Sequence, residues 1–138
     1  MTNSNNSNNS LLINELSELI KQNLENHLYT NAVFYSERLL TELDNEETRY
    51  LLSQAYFGEG KYFKIPLILD KAVIKNSNSK YLLGKTLLKL NKLKDAEYVM
   101  IKDYPTKFIY SKEYETIIPN GSQGFFLLGE IYERNVIN

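Results

Sequence analysis

The chain contains 138 residues, of which 43% are hydrophobic, and this is enough to build the core of one domain. Its 16 basic and 17 acidic side chains nearly cancel, so the overall charge favours no class of partner. The lack of cysteine and the single histidine, His27, exclude disulfides, thiolate metal sites, a cysteine nucleophile and histidine-based metal clusters. No run of about 18 apolar residues is present, so the sequence predicts no membrane-spanning helix.

The first ten residues, MTNSNNSNNS, are dominated by Asn and Ser. Such a segment cannot bury enough apolar surface to offset the entropy lost on ordering, so the sequence predicts a disordered tail over residues 1–10. The segment lacks the basic start and apolar centre of a secretion signal. We therefore expect the protein in the nucleus, the cytoplasm or both.

From Leu11 onward the apolar residues recur at helical spacing. The first stripe consists of Leu12, Leu16, Leu19, Ile20 and Leu24. Further helical runs are predicted over residues 31–42, 46–58, 61–75, 79–90, 93–103 and 123–134. Because no segment alternates for long like a half-buried strand, the predicted fold class is all-α.

The chain repeats itself. The positions Ile20, Ser53, Gly84 and Gly129 correspond to one another and are spaced 33, 31 and 45 residues apart. The pattern resembles the tetratricopeptide repeat, a helix–turn–helix unit of about 34 residues with Leu-Gly-x2-Tyr followed by Ala-x3-Phe. Small residues let paired helices approach closely, and Gly or Asn serves the turn. The expected structural positions are Ala32, Ser53, Tyr56, Gly60, Ala72, Gly84, Ala96, Gly129 and Tyr132.

The predicted array covers residues 11–138 and forms a solenoid of about three and a half repeats. A loop insertion is expected over about residues 104–122, because the third spacing is longer than the others. The last repeat contains only its first helix, whereas a solenoid normally finishes with a polar capping face. We therefore expect the chain to be the N-terminal part of a longer array.

Enzymatic chemistry finds no support in the sequence. Gly84, Lys85 and Thr86 resemble the end of a phosphate-binding loop, but Ser79 stands where the first Gly belongs and no strand precedes it. Seven lysines lie between Lys71 and Lys94, but a single tyrosine among them, Tyr81, does not supply the aromatic interleaving that base stacking requires. We expect no catalytic, cofactor-binding or metal-binding residue, no small-molecule substrate, and no nucleic-acid or membrane partner.

Repeat arrays of this kind bind through a concave groove lined by the first helix of each repeat. By helical phase the groove residues are Tyr50, Leu51, Gln54, Phe57, Tyr81, Leu82, Lys85, Leu88, Lys89, Phe126, Leu127 and Glu130. This is an apolar groove with basic positions, which suits a helix or a hydrophobic peptide.

One resemblance is closer than the general repeat pattern. The stretch NAVFYSERLLTELDNEETRYLLSQAYFGEGKY, Asn31–Tyr62, resembles the start of the third subunit of the anaphase-promoting complex, which opens with Ala-Val-Phe-x-x-Glu-Arg-Leu. Later stretches, SKYLLGKTLLKLNKLKDAE and GFFLLGEIY, resemble the following repeats of that family. The related sixth subunit shares much of the layout and remains a competitor.

The resemblance implies a scaffold of a ubiquitin ligase that controls the cell cycle and mitosis. It also implies homodimerisation through the N-terminal repeats, with each first helix entering the partner's groove, and contacts with other subunits. The repeats that capture activators in that family lie further downstream and are not represented here.

Two interpretations of the first apolar stripe stay open. Leu12, Leu16, Leu19 and Ile20 form the candidate dimer helix, and a twofold interface would be self-complementary. Alternatively, the stripe only packs within its own hairpin, as helical stripes commonly do. A second functional hypothesis is a monomeric adaptor that binds a helix or hydrophobic peptide in the same groove.

Overall fold

The computed structural model describes residues 2–102 and 118–137, with side chains from residue 8 onward. In these ranges the chain is helical and contains no strand, which confirms the predicted all-α class for the described residues. The helices are α1 (Thr2–Glu25), α2 (Tyr29–Glu42), α3 (Glu46–Gly58), a 3-10 turn (Tyr62–Lys64), α4 (Ile65–Ile68), α5 (Ser77–Lys89), α6 (Leu93–Ile101) and α7 (Gly121–Ile137).

The chain divides into two compact units. The described residues up to Lys64 belong to the first unit, which contains α1, α2, α3 and the 3-10 turn. Those from Ile65 onward belong to the second, which contains α4 to α7.

The core of the first unit lies where α1 packs against α2 and α3. Ile20 and Leu39 have no accessible surface, and Leu16 and Leu51 keep 6% each. Burying one such aliphatic side chain contributes about 1.5–3 kcal/mol, so this cluster is a main source of the unit's stability.

Short turns connect the helices of the first unit. His27 adopts a φ of 58° at the turn between α1 and α2. Helix α3 begins with a capping box, in which the Thr48 amide donates to the Asn45 side chain (2.9 Å) and the Asn45 amide donates to Thr48 Oγ1 (3.1 Å). These reciprocal bonds satisfy amides that the first turn of a helix leaves unpaired.

Helix α1 begins earlier than predicted. The disordered tail expected over residues 1–10 is wrong for residues 2–10, because the structure carries α1 from Thr2 onward. Residues 8–10 are exposed, so the extension needs no burial. Once the packed turns after Leu11 have nucleated a helix, each added residue gains a hydrogen bond for only two fixed dihedrals.

The second unit is built on the α5–α6 hairpin and α7. Leu83 and Val99 are almost fully buried between these elements. Asn91 takes a φ of 59° at the hairpin turn, a conformation that Asn tolerates better than most residues. Arg134 of α7 donates from Nη1 to the Leu88 carbonyl (3.0 Å), one of the last-turn carbonyls of α5.

The predicted helix over residues 61–75 is wrong. It is replaced by the 3-10 turn and the four-residue α4, after which the chain turns at residues 71–73. The Asp70 side chain accepts from the Ala72 amide (2.9 Å), and the Asp70 carbonyl accepts from Val73 and Ile74 (3.0 Å each). Asp competes with helical hydrogen bonding in this way, which ends the helix.

The predicted insertion over residues 104–122 lies mostly outside the described residues. Its described end, residues 118–120, forms a turn with Ile118 buried, and α7 begins at Gly121. Asn120 adopts a φ of 63° immediately before this helix.

Candidate protein-binding surface

Several repeat positions lie at helix crossings. Ala32 and Ala96 are fully buried, and Ser53 is buried with its hydroxyl donating to the Arg49 carbonyl (2.8 Å). Gly60 has a φ of +76°, the left-handed conformation that a glycine adopts without steric cost.

Tyr56 ties α3 to α2. Its hydroxyl donates to Glu37 Oε1 (2.7 Å), and the Lys64 ammonium lies 4.9 Å from the centre of its ring. Burial first, and then the bond to Glu37, raises the pKa of Tyr56 to about 12. The phenol is therefore held in its neutral, donating form.

Gly84 and Gly129 occupy the same repeat position with different surroundings. A Cβ on Gly84 would lie 2.8 Å from Met100 Sδ and 3.3 Å from Leu127 Cδ2, whereas a Cβ on Gly129 would meet nothing within 4 Å. The close helix packing predicted at both positions is therefore present only at Gly84. The prediction is wrong for Gly129, because no described helix packs against this residue.

A further repeat position, Ala72, also departs from the prediction. Ala72 is exposed in the turn after α4 rather than buried at a helix crossing, because the predicted helix ends before it. Tyr132 remains 42% exposed, with its hydroxyl 3.3 Å from Glu97 Oε1. Partial burial first, and then the negative charge of Glu97, raises the pKa of Tyr132.

Some residues of the candidate dimer helix lie in the core of the unit, and others lie on its surface. Leu16 and Ile20 belong to the core of their own unit, and Leu12 packs against the edge of that core. Leu16 and Ile20 therefore cannot form an interface, which corrects the prediction for these two residues. Leu19 is the member of the set that lies on the outer side of α1.

Leu19 lines a shallow depression on the outer surface of α1. The residues around it are Asn14, Glu15, Glu18 and Gln22. Both carboxylates are exposed, and among the described residues Glu18 forms one ion pair, a long intrahelical contact with Lys21 (3.9 Å). The depression thus combines one apolar side chain with two acidic ones.

The groove residues predicted on α3 lie in the first unit. Tyr50, Gln54 and Phe57 are partly exposed, while Leu51 is buried in the core and is not available to a partner. Burial raises the pKa of the Tyr50 phenol. Phe57 makes an edge-on contact with Tyr62, with ring centres 5.1 Å apart.

In the second unit the structure brings seven predicted groove residues together around one open cavity of about 350 Å³. Its lining consists of Tyr81, Lys85, Leu88, Lys89, Gln123, Phe126, Leu127 and Glu130. Leu82, also predicted for the groove, is buried and does not line it. Gln123 was missed, although it lies one turn before Phe126 and Leu127 on the same face of α7.

The cavity has an apolar floor and a charged rim. Leu88 and Leu127 are almost fully buried at its base, whereas Phe126 is 74% exposed at its edge. The Lys85 ammonium lies 5.4 Å from the ring centre of Tyr81, and Lys89 is exposed. An amphipathic helix with an apolar stripe and acidic flanks fits this chemistry.

Residues 2–102 and 118–137 contain no group of three or more His, Cys, Asp or Glu side chains placed to hold a metal ion. Within the same ranges, no helix combines the length and the apolar character needed to cross a bilayer.

Comparison with known proteins identifies the family. Residues 25–103, more than half of the chain, match the family described as anaphase-promoting complex, cyclosome, subunit 3. The chain belongs to this family. The match runs from the end of α1 to the end of α6, and it supports the predicted tetratricopeptide-repeat array and the third-subunit resemblance over its sixth-subunit competitor.

Three relatives are similar to this chain, two of them over a longer stretch than the family match. The cell division cycle protein 27 homolog A of Arabidopsis thaliana is 29% identical over 122 residues, 88% of this chain and 16% of its own length. The cell division cycle protein 27 homolog of Homo sapiens is 32% identical over 117 residues, 82% of this chain and 14% of its own length. The anaphase-promoting complex subunit 3 of Schizosaccharomyces pombe is 37% identical over 71 residues, 51% of this chain and 10% of its own length.

This chain therefore spans between a tenth and a sixth of the length of these subunit 3 relatives.

Proposed function

We propose that this chain is a protein-binding scaffold of an anaphase-promoting complex, a multi-subunit ubiquitin ligase that acts in cell-cycle control. Membership of the subunit 3 family is the observation that carries the proposal. The names of its relatives, which refer to the cell division cycle and to this complex, support the same role. Such a scaffold works in the nucleus, the cytoplasm or both, and it is not itself an enzyme.

The scaffold role includes homodimerisation. The outer face of α1 around Leu19 enters the cavity between α5 and α7 of a second copy, and the same contact is repeated by the twofold axis. Two features support this arrangement: a half-exposed Leu on the outer side of α1, and an open cavity with an apolar floor at Leu88 and Leu127. Burying these apolar surfaces together is favourable.

A second candidate function is a monomeric adaptor that takes a helix or hydrophobic peptide into the same cavity. Phe126 favours it, because an aromatic side chain 74% exposed beside an apolar floor suits an anchor for a peptide. The two functions differ in the mass of the protein in solution.

Light scattering coupled to size-exclusion chromatography separates the two functions. We expect wild type to show a concentration-dependent dimer, and Leu19→Glu to shift it toward monomer while retaining helicity by circular dichroism. Phe34→Glu is the matched control, because Phe34 is 64% exposed on α2 of the same unit and should leave the dimer intact. A wild-type monomer at all concentrations would reject homodimerisation and favour the adaptor.

Membership of the complex needs a separate test in cells. A tagged chain should co-purify with the other ligase subunits, quantified by mass spectrometry. Gly84→Val, which disturbs the packing of α5, should reduce that recovery. Equal recovery of those subunits with the tag alone would contradict the scaffold role.

A further inference from the structure

The cavity of the second unit carries its positive charges on one wall. Lys85 and Lys89 lie one turn apart on α5, so their Cβ atoms are about 5–6 Å from each other. Glu130 of α7 lines the opposite wall. A helix that enters this cavity therefore meets two ammonium groups on one side and a carboxylate on the other.

The outer face of α1 carries the complementary charges at a matching spacing. Glu15 and Glu18 also lie one turn apart, beside Leu19. Both are exposed, and the only ion pair found for either among the described residues is the 3.9 Å contact of Glu18 with Lys21. An exposed intrahelical pair of this kind contributes little, so it is easily exchanged for a new partner.

We infer that Lys85 and Lys89 of one copy pair with Glu15 and Glu18 of a second copy, and that these pairs determine the specificity and orientation of dimerisation. The inference rests on the homodimer proposed above. Seating Leu19 over the apolar floor brings the two acidic side chains to the basic wall. Glu130 repels them from the other wall, so one orientation of the entering helix is preferred.

Charge reversal tests this assignment through a mixing experiment. One variant, Glu15→Lys/Glu18→Lys, presents a basic helix to a basic wall at both contacts of the twofold dimer. The other, Lys85→Glu/Lys89→Glu, presents an acidic helix to an acidic wall. We expect each variant alone to dimerise at least about tenfold more weakly than wild type.

Mixing the two variants restores complementarity at both contacts. The basic helix of the first variant meets the acidic wall of the second, and the second variant's unchanged helix meets the first variant's unchanged lysines. A mixture should therefore form a heterodimer of nearly wild-type affinity, detected by sedimentation velocity with one variant fluorescently labelled.

The controls reverse the same number of charges elsewhere. Glu25→Lys/Glu42→Lys alters two exposed acids outside the α1 depression, and Lys92→Glu/Lys94→Glu alters two exposed lysines outside the cavity. We expect both controls to dimerise like wild type. Circular dichroism of every variant verifies that the helices remain folded.

The outcomes separate this inference from the proposed function. If wild type dimerises but neither reversal weakens it, or if mixing restores nothing, the lysine–glutamate pairing is overturned while the homodimer stands. If wild type does not dimerise, both are overturned. Weakening of the wild-type dimer at about 1 M salt, where the Debye length is about 3 Å, would further support the pairing.

Discussion

Gly84 and Gly129 provide a matched pair of substitutions, because they share a repeat position and differ in surroundings. A side chain at Gly84 meets Met100 of α6 and Leu127 of α7, and one at Gly129 points into open space. Valine at either position changes intrinsic helix propensity by the same amount, a gain of a few tenths of a kcal/mol over glycine. The difference in the free energy of unfolding between the two variants therefore reports the effect of packing alone.

The structure sets the size of the effect at Gly84. The Cβ alone would approach Met100 Sδ to 2.8 Å, and the two methyl groups of valine need still more room. Overpacking of this kind costs about 1–3 kcal/mol. Because Met100 is flexible and can move partly aside, we expect the lower half of that range.

Urea denaturation followed by circular dichroism measures this difference. With a slope of about 2 kcal/mol/M, the midpoint of Gly84→Val should fall by about 0.5–1 M relative to Gly129→Val. Gly129→Val should unfold at or slightly above the wild-type midpoint. Equal midpoints for the two variants would refute the assignment of Gly84 as a close-packing position.

Three further predictions concern the first unit. Leu16→Ala should lower the free energy of unfolding by about 2–5 kcal/mol, whereas Leu19→Ala should cost less than about 1 kcal/mol in the monomer; equal losses would contradict their division between core and surface. Asn45→Ala should cost about 1 kcal/mol in urea denaturation through loss of the cap on Thr48, and no change would reject the capping box. The pKa of Tyr56 is raised to about 12 in the folded state, so its contribution to the free energy of unfolding is complete below pH 10 and is lost as the pH rises toward 12. Tyr56→Phe should remove this part of the loss of stability at alkaline pH. An unchanged dependence of stability on pH in the variant would count against this role of Tyr56.

The helical hairpins could be predicted because the apolar period of each helix and the residues that begin and end it are both local features of the sequence. The run predicted over residues 46–58 coincides with α3, and the buried Ala32 and Ala96 lie at the spacing that a helix crossing requires. In the predicted helix over residues 61–75, the chain departs from the repeat because of local hydrogen bonds that the apolar period does not reveal. Asp70 ends α4 in this way and leaves Ala72 exposed.

The candidate site could be predicted less completely. Leu16, Leu19 and Ile20 form one apolar stripe in sequence, yet only the packing of α2 and α3 determines which of them is covered. The apolar stripe covers a wider face of α1 than the core buries, and Leu19 lies at the outer edge of that face. Gln123 was not predicted because the groove positions assigned to the last helix began at Phe126, one turn after it.

The charge arrangement of the cavity required the structure. Sequence shows seven lysines between Lys71 and Lys94 without distinguishing them. In the structure Lys71 forms an ion pair with Asp95 (2.7 Å), and Lys85 and Lys89 line the cavity beside α7. Such a difference depends on how α5, α6 and α7 pack, which helical period alone does not specify.

Cross-linking between two differently tagged chains tests the central claim most directly. The chain has no cysteine, so Glu18→Cys in one chain and Lys89→Cys in the other provide unique thiols for a short bis-maleimide reagent. The account predicts a covalent heterodimer in clear excess over the control pair, Glu25→Cys with Lys92→Cys. Equal, low yields for both pairs would contradict entry of α1 into the cavity of a second copy.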